Sequence, residues 1–186
     1  MNIRETKLPG VLVLEPDVFS DERGCFLETW NSKRYLDAGI KDSFVQDNVS
    51  FSKRGVLRGL HFQYPQSQAK LVQVLSGEVV DIAVDIRRDS PTFGQWISEV
   101  ISEANHRQIY IPSGFAHGYC VISDTAIFLY KCTDFYNPAS EGGIIWNDPD
   151  IGIDWPVEEP VLSAKDASFP RLRDIHGEKL PQWESL

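Results

Sequence analysis

The run Lys70-Leu-Val-Gln-Val-Leu-Ser-Gly-Glu-Val-Val-Asp-Ile-Ala-Val-Asp-Ile86 limits the possible folds more than any other stretch of this chain. It consists of two segments rich in β-branched residues on either side of Gly77, and neither has the 3.6-residue apolar spacing of an amphipathic helix. Read alone, it predicts a β-hairpin with Ser76-Gly77-Glu78 as the turn. Lys70, Val72 and Val74 then share one face, and Val79, Asp81, Ala83 and Asp85 share one face of the returning strand. If Lys70 points inward, Asp81 or Asp85 is a charge partner for it; a solvated pair on a sheet surface is the commoner arrangement.

The same period of two governs most of the chain after residue 44. Residues 44–52, 56–63, 95–102, 107–112, 119–123 and 125–133 all read as strands separated by Gly, Pro, Asn, Asp or Ser. Nearer the start, residues 8–15 and 19–26 read as two more strands, with Asp21-Glu-Arg-Gly24 a tight turn whose glycine takes a positive φ and whose tip carries Arg23. Residues 30–39 form the one convincing early helix, capped by Asn31 or Ser32 and ended by Gly39. Ser163-Ala-Lys-Asp166 matches a capping box, which puts Lys165 and Asp166 in the first turn of a short helix ended by Pro170. Many short strands, few helices and no βαβ rhythm predict a mainly all-β fold, an antiparallel barrel or jelly roll whose mouth can hold a ligand.

With 186 residues, 42% of them hydrophobic, the chain suits one domain, 1–186, with a well-buried core. A formal charge of -9 argues against a nucleic-acid partner, which favours a basic surface. No apolar run approaches the length of a membrane span, and the first ten residues lack the apolar core of a signal peptide, so the cytoplasm is the expected location. Cys25, Cys120 and Cys132 are odd in number and widely spaced, which fits reduced thiols rather than disulfides or a zinc site.

Chemistry concentrates in Arg54-Gly-Val-Leu-Arg-Gly-Leu-His-Phe-Gln63. Strict alternation turns Gly59, His61 and Gln63 one way and puts Arg58 on the opposite face, with bare Gly59 leaving room beside the imidazole. For Arg58 and His61 to serve one pocket, the strand must bend or bulge near Gly59. Each candidate also has an ordinary explanation. A histidine in an apolar run is more often a satisfied core residue, Arg23 at a turn is more often merely solvated, and Tyr130, in a row with Ala126, Phe128 and Cys132, suits packing with its hydroxyl at the edge. Gln46, Asn48 and Ser50 share a face that is either solvated or the lining of a polar site. A second histidine, His117, falls in the Pro- and Gly-rich turn 112–118.

These motifs occur together and in order. Phe19-Ser-Asp-Glu-Arg-Gly-Cys-Phe-Leu-Glu28, Gln46-Asp-Asn48, Gly55-Val-Leu-Arg-Gly-Leu-His-Phe-Gln63, Lys70-Leu-Val, Ile111-Pro-Ser-Gly-Phe-Ala-His-Gly118 and Tyr130-Lys-Cys-Thr133 are joined by Tyr136-Asn-Pro, Glu141-Gly-Gly and Ile151-Gly-Ile-Asp-Trp-Pro156. Over nearly the whole chain this set resembles the dTDP-4-dehydrorhamnose 3,5-epimerase family. The resemblance implies a cupin-like jelly roll that works as a homodimer, without metal or organic cofactor, on a dTDP-4-keto-6-deoxy sugar. It implies that His61 is the general base, Asp166 the carboxylate that orients it, Tyr130 the acid across the sugar ring and Lys70 a cation near the C4 oxygen. Arg23, Phe26, Glu28, Gln46, Asp47, Asn48, Arg58, His117, Glu141 and Lys165 match substrate-contacting positions. It also implies that the N-terminal strands exchange between subunits, so that Arg23 and Glu28 serve the partner's site.

The residue types suit that chemistry. A C4 ketone acidifies the hydrogens at C3 and C5, and an imidazole can remove one near neutral pH. The enolate charge that develops on the C4 oxygen calls for a cation, and arginine's planar fork fits a diphosphate. Three rival readings remain. One is a relative that inverts only C3 or only C5. Another is a metal-dependent cupin, suggested by Pro112-Ser-Gly-Phe-Ala-His117 but lacking the second imidazole in His61-Phe-Gln63. The third is a non-catalytic sugar-binding jelly roll.

Overall fold

The computed structural model describes residues 1–183. In chain order its elements are β1 (Asn2–Glu5), β2 (Leu12–Glu15), β3 (Val18–Asp21), β4 (Gly24–Leu27), α1 (Ser32–Asp37), β5 (Gln46–Lys53), β6 (Leu57–Gln63), β7 (Lys70–Ser76), β8 (Glu78–Asp85), β9 (Trp96–Ser102), β10 (Gln108–Ile111), β11 (Phe115–Val121), β12 (Thr125–Cys132) and β13 (Glu141–Gly143), followed by short 3-10 turns. A six-stranded sheet in the order β1-β2-β10-β7-β12-β5 faces a five-stranded sheet in the order β13-β6-β11-β8-β9, and β3 and β4 form a separate hairpin. This is the antiparallel jelly roll that the strand pattern predicts. No helix among the described residues is long and apolar enough to cross a membrane.

Alternation decides what each strand face does. Inward residues of both sheets, including Val72 and Phe128 from one and Val79, Ala83 and Tyr119 from the other, form the layer between them. Fully burying such an aliphatic side chain contributes about 1.5–3 kcal/mol. Outward residues are also covered, because Leu60, Phe62, Ile82 and Val84 pack under the C-terminal segment with Ile151, Leu172 and Leu180. On the other side Leu14, Leu71 and Tyr110 pack with Tyr35 of α1 and with Ile40. The helix starts as its sequence predicts, with the Asn31 side chain accepting from the backbone N–H groups of Lys33 and Arg34, each at 3.2 Å.

The 70–86 run gives both expected strands but not the expected hairpin. β7 pairs with β10 and β12 in one sheet, whereas β8 pairs with β11 and β9 in the other. Because apolar residues occupy both faces of each strand, the pattern establishes two central strands and leaves their partners open. The chain crosses between sheets at Gly77, which has φ +83° and sits so close to the Thr125 carbonyl that a Cβ would collide with it. Two further strands escape the sequence pattern: β1, a wholly exposed edge strand, and β13, whose Glu-Gly-Gly carries no alternation. β11 also starts earlier than expected, so His117 lies in a fully buried strand rather than in a turn. Gly114, with φ +94°, makes the turn before it.

Candidate active site

The predicted irregularity at Gly59 is present. His117 on β11 pairs with His61 on β6, but the next pair is Tyr119 with Arg58, so two residues of β6 oppose one of β11. Gly59 adopts φ +122°, and a Cβ there would lie 2.5 Å from the Gly118 Cα. This bulge breaks the strict alternation between Arg58 and His61, although Arg58 is not among the residues lining the cleft that His61 enters. Arg58 reaches back along β5, its Nε donating to Ser52 Oγ at 3.2 Å, and its charge acts on the Tyr130 phenol.

His61 points into a cleft of about 220 Å³ between the sheets, which Lys70, Tyr130, Gln46, Asn48 and Glu141 also line. The polar face of β5 therefore lines a pocket: Gln46 Nε2 donates to Asn48 Oδ1 at 3.1 Å, and Asn48 Nδ2 lies 3.7 Å from Cys132 Sγ. His61 Nε2 is 2.6 Å from Asp166 Oδ1. Asp166 sits on a 3-10 turn, Asp166–Ser168, with its backbone N–H donating to Ser163 Oγ at 3.0 Å. The capping-box serine thus works as predicted, although the turn is 3-10 rather than α and the carboxylate reaches out to the imidazole. Burial opposes ionisation of Asp166, but the hydrogen bond and charge of His61, helped by Ser163 and Lys165, outweigh it and hold the carboxyl below its usual range.

Tyr130 faces the cleft from β12, where it pairs with Asn48 on one side and Val72 on the other. Burial pushes its phenol up to about 12, so it carries its proton at neutral pH. Lys70 points inward from β7 and makes no ion pair among the described residues. Burial pulls its pKa down, while Cys132, Asp81 and Glu141 pull it back up. At the mouth, Glu141 on β13 accepts from Lys165 Nζ at 2.7 Å and from the Tyr136 hydroxyl at 2.9 Å.

Other expected contacts lie elsewhere. His117 is buried behind His61, its Nε2 2.8 Å from Asp81 Oδ2 and its ring stacked on Phe128. Asp47 points to the outer face of β5 and pairs with Lys131 at 2.8 Å. Arg23 is bound to Asp21, Phe26 is 70% exposed on the β3–β4 hairpin, and Glu28 contacts Asn31 and Arg34. None of these last three lines the cleft of this chain. Gln63, at the position of a metal cupin's second imidazole, ties loops together by donating to the Gln66 and Phe135 carbonyls and accepting from the Asn137 N–H.

Sequence reasoning missed Phe62, Gln63, Gln68, Cys132 and Tyr136 as lining residues. Cys132 was visible in the Tyr130 row, whereas Tyr136 and Gln68 sit in loops with no period to place them. A larger hollow of about 340 Å³ shares Phe62 and Glu141 with the cleft but contains neither His61, Lys70 nor Tyr130.

Comparison with known proteins agrees with this geometry. Residues 5–174 match the family model described as dTDP-4-dehydrorhamnose 3,5-epimerase. The enzyme of that name from Salmonella typhimurium strain LT2 is 55% identical over 175 residues, covering 92% of this chain and 96% of that protein. A crystal structure of the 3,5-epimerase from Legionella pneumophila, in complex with dTDP-4-keto-L-rhamnose, superposes with a TM-score of 0.97 at 52% identity, covering 99% of both chains. A 3'-monoepimerase from Streptomyces bikiniensis in complex with dTDP-quinovose is more distant, at 33% identity and a TM-score of 0.88 over 95% of this chain and 91% of that one. With its family model matched almost end to end, the chain belongs to the dTDP-4-dehydrorhamnose 3,5-epimerase family.

Proposed function

We propose that this epimerase converts dTDP-4-dehydro-6-deoxy-D-glucose to dTDP-4-dehydro-L-rhamnose, with His61 removing the protons at C3 and C5 and Tyr130 returning protons from the opposite face. The observation that carries this reading is that His61 and Tyr130 enter one cleft from different sheets, β6 and β12. A sugar ring between them meets a base on one side and a protonated phenol on the other, which inversion needs and a single base does not provide. Asp166 fixes the imidazole and favours the imidazolium formed during turnover. The Lys70 ammonium stabilises the enolate at the C4 oxygen. Arg58 and Lys165 are the partners for the diphosphate, and Lys165 exchanges its bond to Glu141 for the ligand.

The reading also makes the enzyme a cytoplasmic homodimer. Free thiols at Cys25, Cys120 and Cys132 are consistent with a reducing compartment. The outer face of β5 and the β3–β4 hairpin expose Phe51, Phe19 and Phe26 at 72%, 64% and 70%, an apolar surface suited to a second copy. Exchange of the hairpin carries Arg23, Phe26 and Glu28 to the partner's cleft.

Incubation with dTDP-4-dehydro-6-deoxyglucose in D₂O, followed by NMR and trapping with the downstream reductase, tests the reaction. Deuterium at both C3 and C5, with dTDP-L-rhamnose formed, is the expected result. Incorporation at one carbon makes the enzyme a monoepimerase, and none at either with folded protein overturns the reading.

A further inference from the structure

On β8, in the sheet that also carries His61, lies a carboxylate to which no role has been assigned. Asp81 on β8 is completely buried. His117 Nε2 meets its Oδ2 at 2.8 Å, while its Oδ1 has no hydrogen-bond partner among the described residues. A buried carboxylate with half its acceptor capacity unused is costly unless a cation stands nearby. On the facing sheet, Lys70 points inward with no ion pair of its own among the described residues, and the two groups act on each other's charge.

The other charged groups near them are committed. Glu141 on β13 is bound to Lys165 and Tyr136. Asp166 is bound to His61, and Glu99, beside Asp81, is bound to Arg4 at 2.6 Å. Burial raises the thiol of Cys132 on β12, which removes it as a counter-ion. Burial also outweighs Asp81 in keeping His117 on β11 neutral, so the negative charge of Asp81 is not spent on an imidazolium. Burial pushes Asp81 up and Lys70 down, and each group's charge opposes that shift in the other.

We propose that Asp81 is a positioning residue of the reaction, an ion partner across the sheets whose carboxylate keeps Lys70 charged and aimed at the C4 oxygen. The proposal rests on the assignment of Lys70 as the enolate-stabilising cation. His117 is then the neutral donor that anchors one oxygen of Asp81 and leaves the other facing Lys70.

The test is Asp81→Asn, which keeps the shape and an oxygen for His117 but removes the charge. The basic limb of its kcat/KM profile should move down by about one pH unit or more, a loss of up to roughly tenfold on the alkaline side that is recovered as pH falls. Affinity for dTDP should be unchanged. An equal loss at every pH overturns the proposal. In a Lys70→Met background the same change should cost nothing further, because Asp81 acts through Lys70; an additional loss overturns it. Severe impairment by Lys70→Met together with an unshifted Asp81→Asn profile sinks the Asp81 role alone, whereas near-normal activity in Lys70→Met sinks both it and the Lys70 assignment. If Asp81→Asn does not fold, carboxyl ¹³C NMR of the unmodified enzyme decides: an ionised Asp81 at pH 7 supports the ion pair, and a protonated one overturns it.

Discussion

His61–Asp166 and His117–Asp81 are pairs of the same residue types at similar separations, 2.6 and 2.8 Å, and the two histidines oppose each other in the β6–β11 pairing. They differ in access. The His61 side chain is 30% exposed and opens on the cleft, whereas that of His117 is 7% exposed and packed on Phe128. For Asp166 the penalty of burial is outweighed by His61, Ser163 and Lys165, but for Asp81 burial prevails over His117 and Lys70 and raises the carboxyl. The first pair can pass a proton to a ligand and relax; the second can only hold charge in place. Access to the cleft, not residue type, separates the pair proposed for proton transfer from the buried pair.

Substitutions in the two pairs should have opposite readouts. The largest effect is expected from His61→Ala, which should lower turnover and solvent-deuterium exchange by about 10³-fold while lowering unfolding free energy by less than about 1 kcal/mol; full epimerase activity would sink the assigned base. His117→Ala should do the reverse, removing about 3 kcal/mol of stability in denaturant titrations because it strands the Asp81 carboxylate. If it instead weakens dTDP binding and leaves stability intact, His117 is a ligand contact and the contrast fails.

Asp166→Asn should lower kcat with little change in KM, since the imidazole keeps its place but loses its orienting carboxylate. It also carries a pH signature. The folded-state pKa of Asp166 is depressed, so its contribution to stability is fully present above the unfolded value of about 3.9 and is lost as pH falls through the folded value. Thermal unfolding below pH 4 should therefore cost the unmodified enzyme more stability, relative to pH 7, than it costs Asp166→Asn; parallel curves would contradict the pairing. The smallest effect lies outside both pairs, where Arg58→Ala should weaken dTDP binding about tenfold by calorimetry, and unchanged affinity would remove it from the diphosphate site.

How far the sequence could be read follows from the range of each signal. Alternation is local, so strands, inward faces and the helix at Ser32–Asp37 were legible, and the parity conflict between Arg58 and His61 pointed to the bulge at Gly59. Strand partners are not local, which is why the two strands flanking Gly77 read as a hairpin. Asp166, 105 residues from His61, could be linked to it only through family resemblance, although the Ser163 cap did locate its turn. Alternation put both Asp81 and Asp85 on the face toward Lys70 without choosing between them. The structure removes Asp85, which is taken by Arg87, Ser90 and Thr92. Arg23, Phe26 and Glu28 do not line the cleft of their own chain, and no local signal in the sequence could tell that.

The crossing at Gly77 has a kinetic meaning. A hairpin there would let neighbouring strands zip together early at little cost in chain entropy. Instead β7 waits for β10 and β12, β8 for β11, and β5 for β12 near the far end of the core. With its sheets built mostly from such distant partners, the chain belongs among slow folders, on the order of milliseconds to seconds or longer. During that interval unpaired strand edges stay open to other molecules, so refolding yield should fall as protein concentration rises.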